Sequence, residues 1–122
     1  MLNYPDDLHW GKIKIWRKSI CEWIPGPGFP ISRILCAGND KKYGIRTCFG
    51  DSGGPLACIH NDKMVLAGIT SYTADYCKAE YGSIKFRLPS FFTRVSHFVD
   101  WIENYTVSHF KLRLKSRVPN RL

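Results

Sequence analysis

The sequence predicts an all-β fold of short antiparallel strands and long loops, closed by one C-terminal helix, as in a barrel or sandwich portion. Three observations lead there. Ten Gly and seven Pro in 122 residues favour turns and short strands over a helical bundle. Several apolar runs are short and bounded by turn residues. A single stretch, 96–105, carries apolar residues at helical spacing. Apolar residues at 44% and aromatics at 14% supply a packed core and exclude disorder for most of the chain. The length allows one small domain.

In chain order, residues 11–16 (Gly-Lys-Ile-Lys-Ile-Trp) alternate with period two and predict a strand with one buried face. Three prolines and two glycines in 25–30 impose a loop. Ile34–Gly38 is a short apolar strand, and the polar stretch 39–47 a loop. Pro55–His60 and 64–72 are two strands around an Asn61-Asp62-Lys63 turn, a hairpin. Residues 73–88 read as a long loop and 91–95 as a further strand. Val95, Phe98, Val99 and Ile102 then fall on one face of a helix, with Ser96 as its N-cap. No repeat occurs before the tail.

The net charge of +8 is uneven. Residues 107–122 carry five Lys/Arg and no acid, while residues 1–106 hold thirteen Lys/Arg against ten Asp/Glu. The tail is a solvated terminus, with contact to a polyanion as the open alternative. No nucleic-acid motif accompanies it, so a specific nucleic-acid partner is excluded. No metal or cofactor motif is present, and no segment reaches the ~20 apolar residues of a membrane span. The first seven residues lack the basic and apolar regions of a secretory signal. That conflicts with five cysteines, since stable disulfides belong to oxidising compartments. Either the cysteines are reduced or the true N-terminus lies upstream.

The chemistry lies in Cys48-Phe49-Gly50-Asp51-Ser52-Gly53-Gly54-Pro55-Leu56. A serine nucleophile needs a hydroxyl standing clear of its backbone, and two N–H donors where a tetrahedral oxyanion forms. Gly50 offers one donor and the backbone freedom to aim it; Ser52 offers the other. Gly53 and Gly54 let other segments approach closely. This run resembles the nucleophile signature of the chymotrypsin/trypsin-like serine proteases. Three further features are similar to that family in the same order. They are Cys36-Ala37-Gly38, Gly68-Ile69-Thr70-Ser71-Tyr72, and Pro89-Ser90-Phe91-Phe92-Thr93-Arg94-Val95 leading into Phe98-Val99-Asp100-Trp101-Ile102. The resemblance implies the C-terminal portion of a trypsin-like two-barrel fold over 1–106, followed by the basic tail 107–122.

It also implies roles. Cys21 pairs with Cys36, and Cys48 with Cys77, while Cys58 is left without its upstream partner or is a buried free thiol. Ser52 is the nucleophile and Asp51 the acceptor for an N-terminal amine made by activation. Arg46, Ser71, Tyr72, Thr73 and Ser90 shape substrate binding. Arg46 stands where tryptic members carry the Asp of the specificity pocket. Thr73 and Ser90 replace glycines, so their side chains narrow the entrance. Three outcomes stay open: a preference for acidic or small side chains, a filled pocket, or Arg46 in solvent.

The family's His and Asp motifs and its Ile-Val-Gly-Gly-like start do not occur in these residues. His9, His60, His97 and His109 match no family motif and read as surface residues. The isolated chain is therefore expected to be inactive. The expectation is a portion of an extracellular serine endopeptidase acting on protein or peptide substrates. The alternatives are a non-catalytic homologue acting as a secreted binding protein, or a partial product that never folds alone and exposes sheet edges. Asn104-Tyr105-Thr106 is a glycosylation sequon.

Overall fold

Alternation in two central strands organises the molecule. The computed structural model describes residues 5–24, 30–39, 45–73 and 88–106. Its elements are β1 (Lys14–Ile15), α1 (Lys18–Trp23), β2 (Ile34–Gly38), β3 (Pro55–His60), β4 (Lys63–Thr73), β5 (Ser90–Arg94), a 3₁₀ turn (Val95–His97) and α2 (Val99–Thr106). The strands form one sheet in the order β1-β2-β5-β4-β3, antiparallel throughout.

In β2 and β5 the side chains alternate between two cores. Leu35 and Ala37 join Leu56, Ala67 and Phe92 on one face, with Ile13, Ile15 and Cys58 against them. Cys36 joins Cys21, Ile31 and Phe91 on the other, with Trp16, Ile24 and Ile34 alongside. The register fixes both sets, because Leu35 pairs with Phe92 and Cys36 with Phe91. A slip of one residue would exchange the faces. The Cys21–Cys36 disulfide anchors α1 beneath the second core.

β2 and β3 lie where the apolar runs between turn residues place them, and the β3–β4 turn is a two-residue hairpin. Asn61 (φ 48°) and Asp62 (φ 58°) both adopt the left-handed conformation that such a turn requires. Other expectations need correction. The strand expected over 11–16 narrows to β1, which meets only the last two residues of β2; one further bond runs from Trp16 N–H to the Cys36 carbonyl, 2.9 Å. Residues 18–23 form a helix that the alternating pattern before them did not announce.

The strand expected over 91–95 begins and ends one residue earlier, because Val95 opens the 3₁₀ turn. Ser96 is therefore not an N-cap. It sits inside that turn, whose own cap position is Arg94, with no side-chain capping bond. Phe98 (φ −107°, ψ 6°) interrupts the helical path before α2 starts. Val95, Phe98, Val99 and Ile102 are nevertheless all half-buried. The expected loops over 25–30 and 73–88, Cys77 and the tail lie largely or wholly outside the described residues. Among the described residues no helix is long and apolar enough to cross a membrane.

Candidate active site

The nucleophile loop is a turn docked on β4. Cys48 to Asp51 close a β-turn through Asp51 N–H to the Cys48 carbonyl, 3.1 Å. Gly50 occupies its third position with φ 96°, the value of a type II turn that favours glycine. The Asp51 carboxylate locks the turn a second time, accepting the Cys48 N–H at 2.7 Å. Gly54 N–H then bonds the Asp51 carbonyl at 3.0 Å. A Cβ on residue 54 would stand 2.9 Å from that same oxygen, so only glycine fits this return.

β4 holds the loop by its backbone. Gly53 N–H donates to the Thr70 carbonyl (2.9 Å), and Thr70 N–H to the Gly54 carbonyl (2.8 Å). With Cys48, Asp51, Gly53 and Gly54 engaged, the N–H groups of Gly50 and Ser52 meet no acceptor among the described residues. These are the two donors that an oxyanion site requires. Ser52 is exposed, and its hydroxyl donates to the Ser71 carbonyl at 3.3 Å.

That carbonyl is available because β4 bulges. The register with β5 runs Thr70–Phe92 and then Tyr72–Phe91, leaving Ser71 as the extra residue. Beyond the bulge, Tyr72 stacks on buried Phe91, centroids 4.7 Å apart at 15°. Burial pushes the Tyr72 phenol above its ordinary pKa. Thr73 is half-buried at the end of β4 opposite Ser90.

Ser90 does not stand in an open entrance. It is 1% exposed, and its hydroxyl accepts the Thr47 N–H at 3.2 Å. It thus ties the 46–48 segment, with half-buried Arg46, to the sheet. Cys48 is disulfide-bonded; Cys77, its expected partner, lies outside the described residues. Cys58 is a free thiol on β3, and burial raises its pKa. His60 lies at the far end of β3, within 3.3 Å of the Asn61 side chain. His97 stands edge-on to Phe98 in the 3₁₀ turn.

The structure therefore brings Gly50, Asp51 and Ser52 together with Ser71, with Tyr72 next along β4 and Ser90 bonded to Thr47. Thr70 was missed in the sequence, because its part is played by backbone groups that leave no side-chain signal.

Comparison with known proteins agrees with this geometry. The family model described as Trypsin matches residues 2–102. The chain is 41% identical over 102 residues to serine protease sp-Eoc49 of Echis ocellatus, covering 84% of this chain and 35% of that protein. It is 37% identical over 101 residues to human (Homo sapiens) kallikrein-8, covering 83% and 34%. Over 79 residues it is 43% identical to chymotrypsin-like elastase family member 1 of Felis catus, covering 64% and 27%. The chain thus spans about a third of the length of these relatives. The match over residues 2–102 and the 41% identity show that the chain belongs to the trypsin family of serine proteases.

Proposed function

We propose that this chain is the nucleophile-bearing portion of a serine endopeptidase that acts on protein or peptide substrates outside the cell. The observation that carries this reading is the turn of residues 48–54. It presents an exposed serine hydroxyl beside two N–H donors that no acceptor occupies among the described residues. In the reaction, the Ser52 oxygen attacks the scissile carbonyl carbon as its proton passes to a base. The carbonyl oxygen becomes an oxyanion held by the Gly50 and Ser52 N–H groups. The base and its orienting carboxylate come from the part of the protein that this chain does not span. The Ser52–Ser71 hydrogen bond is then exchanged for one to that base. Asp51, which caps its own turn, is the acceptor for an activating amine. Secretion is supported by relatives named for snake venom.

A second reading rests on Arg46, Thr73 and Ser90, which depart from the tryptic pocket: a homologue that binds a partner without cleaving it. A chimera decides between them. The upstream portion of the 41%-identical serine protease sp-Eoc49 is joined to this chain and treated with a fluorophosphonate. Labelling of Ser52, lost in Ser52→Ala, supports the peptidase. A folded but unlabelled chimera supports the binder. The chain alone is expected to stay unlabelled; stoichiometric labelling of it would overturn the need for an outside base.

A further inference from the structure

The outer face of α2 is aromatic and uncovered. Trp101 is 61% exposed and Tyr105 69% exposed. The two rings pack on each other with centroids 5.2 Å apart, the contact expected one helical turn apart. Asn104 is also exposed and lies three residues after Trp101 and one before Tyr105. On a helix, positions three apart are neighbours on one face. Asn104 is the acceptor position of an Asn-Tyr-Thr sequon, and helical spacing makes it a neighbour of the exposed Trp101–Tyr105 pair.

We propose that Asn104 carries an N-linked glycan whose first sugar lies over the Trp101–Tyr105 pair. Transfer joins the Asn104 amide nitrogen to the anomeric carbon of a polyprenyl-diphosphate-linked oligosaccharide. The amide loses one proton, the sugar–phosphate bond breaks, and polyprenyl diphosphate leaves. No oxidation or reduction is involved. The sugar's C–H groups carry slight positive charge, and the indole and phenol faces are the negative side of their quadrupoles. Its hydroxyls meanwhile keep the outer surface wet, as a bulky polar modification does. Transfer takes place before α2 closes, because in the folded helix the Thr106 hydroxyl is held by the Ile102 carbonyl at 2.8 Å. The inference rests on the extracellular part of the reading above, since the donor lipid serves chains entering the secretory route.

The test expresses the full chain behind a secretory leader in a eukaryotic host. Asn104 occupancy is read by peptide mass, and Trp101 and Tyr105 by hydroxyl-radical footprinting. Occupied wild type is expected, with Trp101 labelled about twofold less than in unglycosylated Asn104→Gln, because a sugar covers one of two ring faces. Trp10 and Trp23, each 82% exposed, serve as references and stay unchanged. Thr106→Ser retains the sequon and the protection; Thr106→Ala loses both. A secreted chain with an empty Asn104 overturns the proposal, as does a glycan that leaves Trp101 labelling unaltered. Neither outcome touches Ser52, so failure here is distinct from failure of the peptidase reading.

Discussion

Removing the Cys21–Cys36 disulfide should unfold more than α1. The two sulfurs sit in the second core at 2% and 0% exposure and close a loop of 15 residues. Loop-closure entropy for that length gives about 3 kcal/mol. Replacing both residues by Ala also removes two buried sulfur atoms, each comparable to a buried methylene at about 0.8 kcal/mol. The double variant should therefore lose about 4–5 kcal/mol. In urea, with a slope of about 2 kcal/mol per molar, the midpoint should drop by roughly 2 M. The same loss reaches the site. Cys36 pairs with Phe91, and Phe91 is the platform beneath Tyr72. Tyr72 in the variant should titrate closer to an ordinary phenol, read by ultraviolet absorbance. A midpoint shift under about 0.5 M with an unchanged slope would refute the reasoning.

Two further outcomes follow from single side chains. Ser90→Ala takes the acceptor from the Thr47 N–H inside the sheet and should cost about 1–3 kcal/mol; a urea midpoint within error of wild type contradicts this. The Cys58 thiol is raised by burial, so the folded state resists its ionisation. Its contribution is present below the unfolded thiol pKa of about 8.5 and is lost as pH rises through the higher folded value. Wild type should thus lose stability relative to Cys58→Ala as pH rises above about 8.5, and a pH-independent difference would count against the burial argument.

Ser52 and its glycines were legible because they form a contiguous motif whose backbone demands are local. Gly50 at φ 96° and Gly54 against the Asp51 carbonyl are positions that only glycine satisfies comfortably. β2 and β3 were equally legible, since a half-buried or buried strand advertises itself by apolar residues between turns. What failed was decided at a distance. β1 pairs with β2 only at Gly38 and Ala37, with one more bond from Trp16 to Cys36, because the chain turns into α1 at Lys18. Helix α1 is six residues, too short for a periodic signal, and is fixed by a disulfide rather than by propensity. Ser96 was misassigned because the chain turns first in a 3₁₀ geometry, whose i, i+3 repeat overlaps part of the α-helical pattern. Ser90 was read as an entrance residue, yet its hydroxyl serves a backbone donor more than forty positions away, which no local pattern can encode.

The site's parts depend on one another through β4. The bulge at Ser71 lets one strand meet two obligations. Before it, Thr70 pairs with the nucleophile loop through both its N–H and its carbonyl. After it, Tyr72 stays in register with Phe91 and covers the second core. A straight ladder would give Ser71 the partner that Tyr72 now takes, and would turn the Ser71 carbonyl away from Ser52. The Gly50 and Ser52 N–H groups, the Ser52 hydroxyl and the neighbouring strand ends are thus set by backbone bonds and by side-chain-to-backbone bonds within residues 47–54, 70–73 and 90–91. None of those bonds needs a base. Under the proposed reading, recognition of the developing charge falls to this chain and proton transfer to a base outside it.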